Sequence, residues 1–223
     1  MIQSIFRKEF FKIRVMWLLV LIANLCLLVH IWISTRRLFI LDHPEVVWYR
    51  VLQLGQIHFE HLKFAPLISG ILIACFQFLP EMWGERFRLS LHLPVSAGFV
   101  AMGHLLAGLF AYLLVGLTDL GGLWLITSIY FPAQGIMVSL LTALPWTMAG
   151  ICAYLGMALT LLEPNFRLKA VNLALTAGVA GCYLINVQPG AFTPSLPVLI
   201  VPLALMMPAV MVPVFRFRYR RMG

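Results

Sequence analysis

Charged residues are scarce in this chain, and their scarcity excludes most classes of soluble protein. Only 11% of its 223 residues are Asp, Glu, Lys or Arg, whereas 62% are hydrophobic and the mean hydropathy is +0.96. A soluble domain carries about 25% charged residues. The composition therefore predicts an all-α integral membrane protein, with a single transmembrane domain over residues 1–223 and too little remaining chain for a soluble catalytic domain.

Motifs for nucleotide or covalent chemistry are also missing. The sequence contains no Gly-x-x-x-x-Gly-Lys-Ser/Thr phosphate loop, so any ATP and Mg²⁺ must be bound by another polypeptide. It contains no Gly-x-Ser-x-Gly motif either. The four cysteines lie in apolar runs and form no Cys-x-x-Cys pair, which is typical of buried apolar residues. We therefore expect neither an enzyme activity nor a bound cofactor in this chain.

Six apolar runs are long enough to cross a bilayer as helices, which takes about 20 residues each. They predict transmembrane helices over residues 15–34, 62–80, 97–118, 135–162, 170–187 and 196–214. Residues 35–61 are expected to form an external loop. The apolar part of residues 119–134 is too short to cross, so this segment is predicted to be a re-entrant or interfacial piece, or an extension of a neighbouring helix.

Lysine and arginine are distributed unevenly between the two sides of these spans. With six spans, both termini lie on one side of the membrane together with twelve of the 16 basic residues. Basic residues mark the cytoplasmic side, so both termini are expected in the cytoplasm of a bacterial cell, with the spans in its inner membrane. The same residues meet the anionic headgroups of membrane lipids, and the net charge of +8 therefore needs no nucleic-acid partner.

Ionisable side chains are nearly absent from the predicted spans. No acidic residue lies in the middle of a span, and an ion-driven transporter usually needs an intramembrane carboxylate. The sequence therefore predicts that energy for any transport comes from outside the chain. In the external loop, His58 and His61 could share a helix face and are weak candidates for a metal site; solvated loop histidines are the preferred interpretation.

Two segments beside the spans have the pattern of helices at a membrane surface. Residues 1–14 mix apolar and basic positions at helical spacing, which predicts an amphipathic elbow helix; an ordinary basic flank is the alternative. Its charged residues include Arg7, Lys8, Glu9 and Lys12. Residues 81–96 join the second and third spans and predict a short cytoplasmic surface helix, or else a solvated loop. The charged residues of this second segment are Glu81, Glu85, Arg86 and Arg88.

Three short motifs lie in these two segments. They are FRKEFFK at residues 6–12, Glu81-x-x-Gly84-Glu85-Arg86, and Leu93-Pro94-Val95-Ser96. In order and spacing they resemble the elbow helix, the coupling helix and the start of the third span in permease subunits of type-2 ABC exporters. The resemblance covers a small part of the chain, and the rest is similar only in topology. A departure is His104, which follows Gly103 where this family often has a basic residue.

The resemblance implies an exporter permease that works with other subunits. Two copies of this chain, or this chain and a homologous permease, would pair and recruit two copies of an ABC ATPase subunit. The ATPase would dock on the coupling helix through Glu81, Gly84, Glu85, Arg86 and Arg88. The substrate path would contain Asn24, Gln77 and Asn172. The alternative function is a non-transporting membrane anchor of a larger complex, for example a redox complex, which would favour deep paired histidines or a cysteine cluster.

Overall fold

The chain is all-helical, as predicted, over the residues that the structure describes. The structure, a computed structural model, describes residues 2–82, 96–185 and 188–219 and has no β-strand within them. Its α-helices are α1 (Ile2–Leu41), α2 (Pro44–Leu52), α3 (Ala65–Met82), α4 (Ala97–Tyr130), α5 (Ala133–Leu162), α6 (Phe166–Leu184), α7 (Leu196–Ala209) and α8 (Met211–Tyr219). Short 3-10 helices cover Glu60–Leu62 and Thr193–Ser195.

Among the described residues, five helical segments are long and apolar enough to span a membrane, which gives the chain the character of a multi-pass membrane protein. They are Arg7–Leu41, Glu60–Met82, Gly98–Tyr130, Ala133–Leu162 and Thr193–Arg216. The predicted span 170–187 falls on α6, which is not one of these five. Its first turns carry Arg167, Lys169 and Asn172, and these polar residues lower its hydropathy.

The predicted elbow helix and the first span form one helix. α1 runs without a break through residue 14, so an elbow separated from the span is not confirmed. Residues 2–41 contain neither glycine nor proline, and nothing in the stretch interrupts the intrahelical hydrogen bonds. At 1.5 Å per residue its 40 residues make a rod of about 60 Å, about twice the thickness of a hydrocarbon core.

The predicted third span is longer than expected. α4 continues past residue 118 to Tyr130, so the described part of 119–134 is mainly an extension of this helix. Gly121 and Gly122 do not interrupt it, because an unpaired backbone group costs several kcal/mol in an apolar environment. Gly122 also leaves room for the Leu28 side chain of α1, with which a Cβ would collide.

The extension of α4 corrects one conclusion drawn from the sequence. Asp119 was placed outside the spans, yet it lies within the candidate span Gly98–Tyr130 and is fully buried. Glu9, near the start of the candidate span Arg7–Leu41, is fully buried as well. The expectation that no acidic residue lies in the middle of a span therefore does not hold for α4.

Helix α5 lies at the centre of the bundle. It packs against α3, α4, α6, α7 and α8, and its Trp146 and Tyr154 side chains are fully buried. The close approach of α3 depends on two glycines, because a Cβ on Gly70 would collide with the carbonyl of Gly150. Facing small residues allow this spacing between helices in membrane proteins.

The predicted external loop 35–61 is largely helical. α1 extends into it as far as Leu41, and α2 begins at Pro44, where proline suits the first turn of a helix. The Trp48 indole donates a hydrogen bond to the carbonyl of Tyr130 at 2.9 Å, which ties α2 to the end of α4. We refer to this end of the bundle as the α2 end.

Both ends of the described chain lie at the opposite end, which we refer to as the terminal end. Near the start of α1, Lys12 bonds Glu81 in the last turn of α3 at 3.0 Å. In α8, Arg216 bonds Glu163, the residue after α5, at 3.1 Å. The first and last described helices therefore meet the same end of the bundle.

Candidate functional site

A set of buried polar side chains connects four helices at the terminal end. We call it the charged network, and its members are Glu9 and Lys12 of α1, Gln77 and Glu81 of α3, His104 of α4 and Tyr154 of α5. Three of them are fully buried, Glu81 is 4% and His104 is 3% exposed, and the Lys12 side chain is partly buried at 18% exposure. Acidic and basic side chains are almost never buried to this degree unless they are paired.

The Lys12 ammonium lies between two carboxylates. Its Nζ donates to Glu9 Oε1 at 2.8 Å and to Glu81 Oε1 at 3.0 Å. Glu9 and Lys12 are three residues apart, so both project from one face of α1. The mostly exposed side chain of Lys8 reaches Glu81 Oε1 at 3.3 Å. Two lysines thus balance two carboxylates in a place where an unpaired charge would cost several kcal/mol.

The Gln77 amide extends the network to α4 and α5. Its Nε2 donates to Glu9 Oε2 at 3.0 Å and to the carbonyl of His104 at 2.6 Å. Its Oε1 accepts from the Tyr154 hydroxyl at 2.8 Å. The His104 imidazole also contacts Glu9, since its Nδ1 lies 3.0 Å from Glu9 Oε1. Gly108 makes room for this contact, because a Cβ there would collide with Gln77 and Tyr154.

Of the predicted docking residues, only Glu81 lies within the described part of the chain. Gly84, Glu85, Arg86 and Arg88 lie outside the described residues, as does most of the predicted coupling segment 81–96. Glu81 is described, and it faces the bundle, paired with Lys8 and Lys12. The docking role of Glu81 stays a prediction, and the contacts that the structure gives this side chain are with α1.

The predicted path residues occupy different surroundings. Asn24 is buried between α1 and α3, where its Nδ2 donates to Ser69 Oγ at 2.9 Å. Gln77 belongs to the charged network. Asn172 lines a groove of about 480 Å³ between α6, α7 and α8 with apolar neighbours such as Leu175 and Leu205. The structure therefore does not bring these three amides together in one site.

The candidate metal ligands point to different partners. The His58 ring stacks on Phe131 at a centroid distance of 4.7 Å, whereas the His61 ring contacts His30 at 5.3 Å. Burial lowers the pKa of His58 to about 4, and neither of its ring nitrogens has a hydrogen-bond partner in the described part of the chain. Among those same residues, no three His, Cys, Asp or Glu side chains form a group that could hold a metal ion.

Sequence reasoning missed the association of His104 and Tyr154 with the glutamates. One local signal was present, because Gln77 and Glu81 are four residues apart and so share a face of α3. A polar pair at that spacing in an apolar helix indicates a partner on a neighbouring helix. The identity of that helix depends on tertiary packing, which no local pattern reveals.

Loss of the central cation is expected to destabilise the bundle strongly. Lys12→Ala leaves Glu9 and Glu81 buried with fewer counter-charges, and removing one partner of a buried ion pair costs about 3–5 kcal/mol. Lys8→Ala is the matched control, since its exposed pair with Glu81 is worth at most about 1 kcal/mol. Chemical unfolding of the detergent-solubilised chain, followed by circular dichroism, measures both. Equal small losses in the two variants would contradict a buried network.

Acidification is expected to weaken the α2 end through His58. The folded state keeps this ring neutral down to about pH 4, whereas a histidine in the unfolded chain titrates near pH 6.5. The unfolded state therefore binds more protons between these values, and the stabilisation is complete above about pH 6.5 and lost as the pH falls toward 4. The melting temperature should fall from about pH 7.5 to about pH 5, and it should fall less in His58→Phe.

His61→Phe is the control for this titration, because His61 is exposed and should leave the pH slope of the wild type unchanged. A His58→Phe slope identical to the wild-type slope would show that His58 is not the group responsible.

Comparison with known proteins assigns no family to this arrangement. No family model matches the chain, and no curated protein and no solved structure is significantly similar to it. The function must therefore be argued from the geometry of the charged network and the layout of the helices.

Proposed function

We propose that this chain is the membrane-spanning permease subunit of an ABC exporter, located in a bacterial inner membrane. ATP would be hydrolysed by a separate subunit, present in two copies, and two permeases would form the complete pathway. One observation carries the proposal: the charged network bonds α3 and α4, the helices on either side of residues 83–95 in the sequence, to the start of α1. This is the segment in which the sequence predicts the coupling helix.

The attachment has a mechanical consequence. Glu81 lies two residues before this segment and bonds Lys12, while His104 lies in the third turn of the helix that follows and bonds Glu9. Because Glu9 and Lys12 belong to one rigid helix, a displacement of the segment would move α1, α3 and α4 together. Transport cycles use this kind of rigid-body movement of packed helices.

Six crossings are part of the proposal, with α6 as the additional span. Its 19 residues make a helix of about 28 Å, close to the hydrocarbon thickness of about 30 Å. It runs antiparallel to α5, with Thr176 packed against Gly156 and Asn172 near the Leu159 carbonyl. Leu173 and Leu175 are about half exposed, as side chains facing lipid would be.

The distribution of charge supports a cytoplasmic terminal end. Arg7, Lys8 and Arg14 of α1, Arg167 and Lys169 of α6, and Arg216 of α8 all belong to helix ends at this side of the bundle. Six crossings with this end inside agree with the preference of basic residues for the cytoplasmic side. In this orientation an ATPase subunit would reach residues 83–95 directly.

Co-purification from native membranes tests the proposal. The tagged chain is extracted in mild detergent, and its partners are identified by mass spectrometry and an ATPase assay. We expect the wild type to bring down an ABC ATPase, and Glu85→Ala/Arg86→Ala to lose it because the docking charges are gone. Glu60→Ala/Lys63→Ala at the α2 end is the matched control and should retain the ATPase.

Lys12→Met separates docking of the ATPase subunit from transmission of its movement to α1. This variant keeps the charges of residues 83–95, so it should still bind the ATPase subunit, but the bond between Lys12 of α1 and Glu81 of α3 would be lost and the coupling of ATP hydrolysis to transport should weaken. Wild-type samples that contain no ATPase, or that contain redox subunits instead, would contradict the proposal and favour the membrane-anchor alternative.

A further inference from the structure

Asp119 is an acidic side chain buried inside the helix bundle without a partner. It is 0% exposed, and neither carboxyl oxygen makes a hydrogen bond within the described residues. It lies 22 residues after the start of α4 and 11 before its end, or about 33 Å and 16 Å along the axis. Natural proteins leave very few buried polar atoms unpaired, so a carboxyl group in this state indicates a specific role.

The surroundings of Asp119 are apolar, with two further unpaired polar atoms nearby. Leu123, one turn along the same face of α4, packs in a cluster with Trp146, whose Nε1 is buried without a partner. The contact of Leu28 with Gly122 fixes the register of α1 against α4 and places Asn24 at the level of Asp119. Asn24 Oδ1 is likewise buried and unpaired.

No counter-charge from the described part of the chain is bonded to this carboxyl. Tyr112, two turns away on the same face of α4, is the neighbouring titratable group, and its hydroxyl is already bonded to the carbonyl of Thr147. Asn24 of α1 and Trp146 of α5 are neutral. His30 of α1 is exposed and packs on His61 at the α2 end. His104, the nearest member of the charged network on α4, is 15 residues distant, about 22 Å along the helix.

We propose that Asp119 is a proton-binding site in the interior of the membrane domain. Ionisation without a counter-charge is strongly disfavoured in such surroundings, so the carboxyl holds its proton while the bundle is closed. When water reaches this layer the carboxylate is solvated and the proton leaves to bulk water. The pH then sets the balance between a closed and a hydrated bundle. This proton site does not depend on the chain having an ATPase subunit as its partner.

The ligand is a proton rather than a metal cation. Na⁺ and Ca²⁺ are held by several oxygen atoms, about six to eight for Ca²⁺. The unpaired oxygen atoms at this layer among the described residues are those of the Asp119 carboxyl group and Oδ1 of Asn24, and the same residues contain no group of three metal-ligating side chains. A proton needs only one carboxyl oxygen.

Infrared spectroscopy of the full chain in lipid nanodiscs tests the protonation state directly. At about pH 7 the wild type should show the carbonyl stretch of a protonated carboxyl group, and Asp119→Asn should lose it. Asp42→Asn is the control, because Asp42 is partly exposed, pairs with Arg50 at 2.6 Å and should not contribute to this band. An identical band in wild type and Asp119→Asn would overturn the proposal.

The pH dependence of thermal stability provides an independent readout. Asp119 should contribute a loss of stability as the pH rises from about 5 to about 8, a slope opposite in sign to the contribution of His58, because the unfolded chain ionises Asp119 and the closed bundle does not. Asp119→Asn mimics the proton-loaded side chain, so it should fold normally and lose this slope. Failure of Asp119→Asn to fold would show that the carboxylate form is needed, and an unchanged slope would show that Asp119 does not hold the proton.

Replacement of Na⁺ by choline at constant pH separates the proton from a metal cation. We expect equal melting temperatures in the two salts. A sodium-specific increase that disappears in Asp119→Asn would overturn the proton assignment. A pull-down that finds no ATPase would leave these results unaffected, so the two proposals fail separately.

Discussion

The Lys12 ammonium between the carboxylates of Glu9 and Glu81 is the interaction on which the terminal end of this bundle depends. It connects α1 to α3 by charge, where apolar packing alone would leave two acidic side chains buried and unpaired. Gln77 and His104 then contact the carboxylate oxygens of Glu9 and bring in α4 and α5, while Glu81 Oε2 is buried without a hydrogen-bond partner among the described residues. Because every member depends on the others, the network holds four helices in one arrangement, and the removal of one member affects them all.

The shortage of water in an apolar bundle explains both unusual acidic sites. A buried carboxyl group is stable only if a counter-charge accompanies it or if it keeps its proton. Glu9 and Glu81 are accompanied by counter-charges, since Lys8 and Lys12 project from the same face of α1. Asp119 has no such neighbour among the described residues, and we propose that it keeps its proton. The same constraint keeps α1 and α4 continuous, because a break in either would expose unpaired backbone groups.

Composition and apolar run length were sufficient to predict an all-helical membrane domain, because both reflect the requirement that backbone groups be paired in lipid. Run length also predicted most of the spans, although α4 proved longer than the run 97–118. An elbow separate from the first span is not confirmed, because polarity changes at residue 14 while helix continuity depends on glycine and proline, which residues 2–41 lack. Spacing placed Gln77 and Glu81 on one face of α3, but only packing shows that Glu9, His104 and Tyr154 come from three other helices to meet them.

The coupling free energy between Lys12 and Glu81 is the most direct test of this account. A double-mutant cycle with Lys12→Met, Glu81→Gln and the combined variant measures it from the free energies of unfolding in detergent. The account predicts that each single neutralisation is costly and that the combination recovers part of the loss, with a coupling of about 1–3 kcal/mol. Additive effects, with a coupling near zero, would show that the two side chains do not form the interaction on which the terminal end is built.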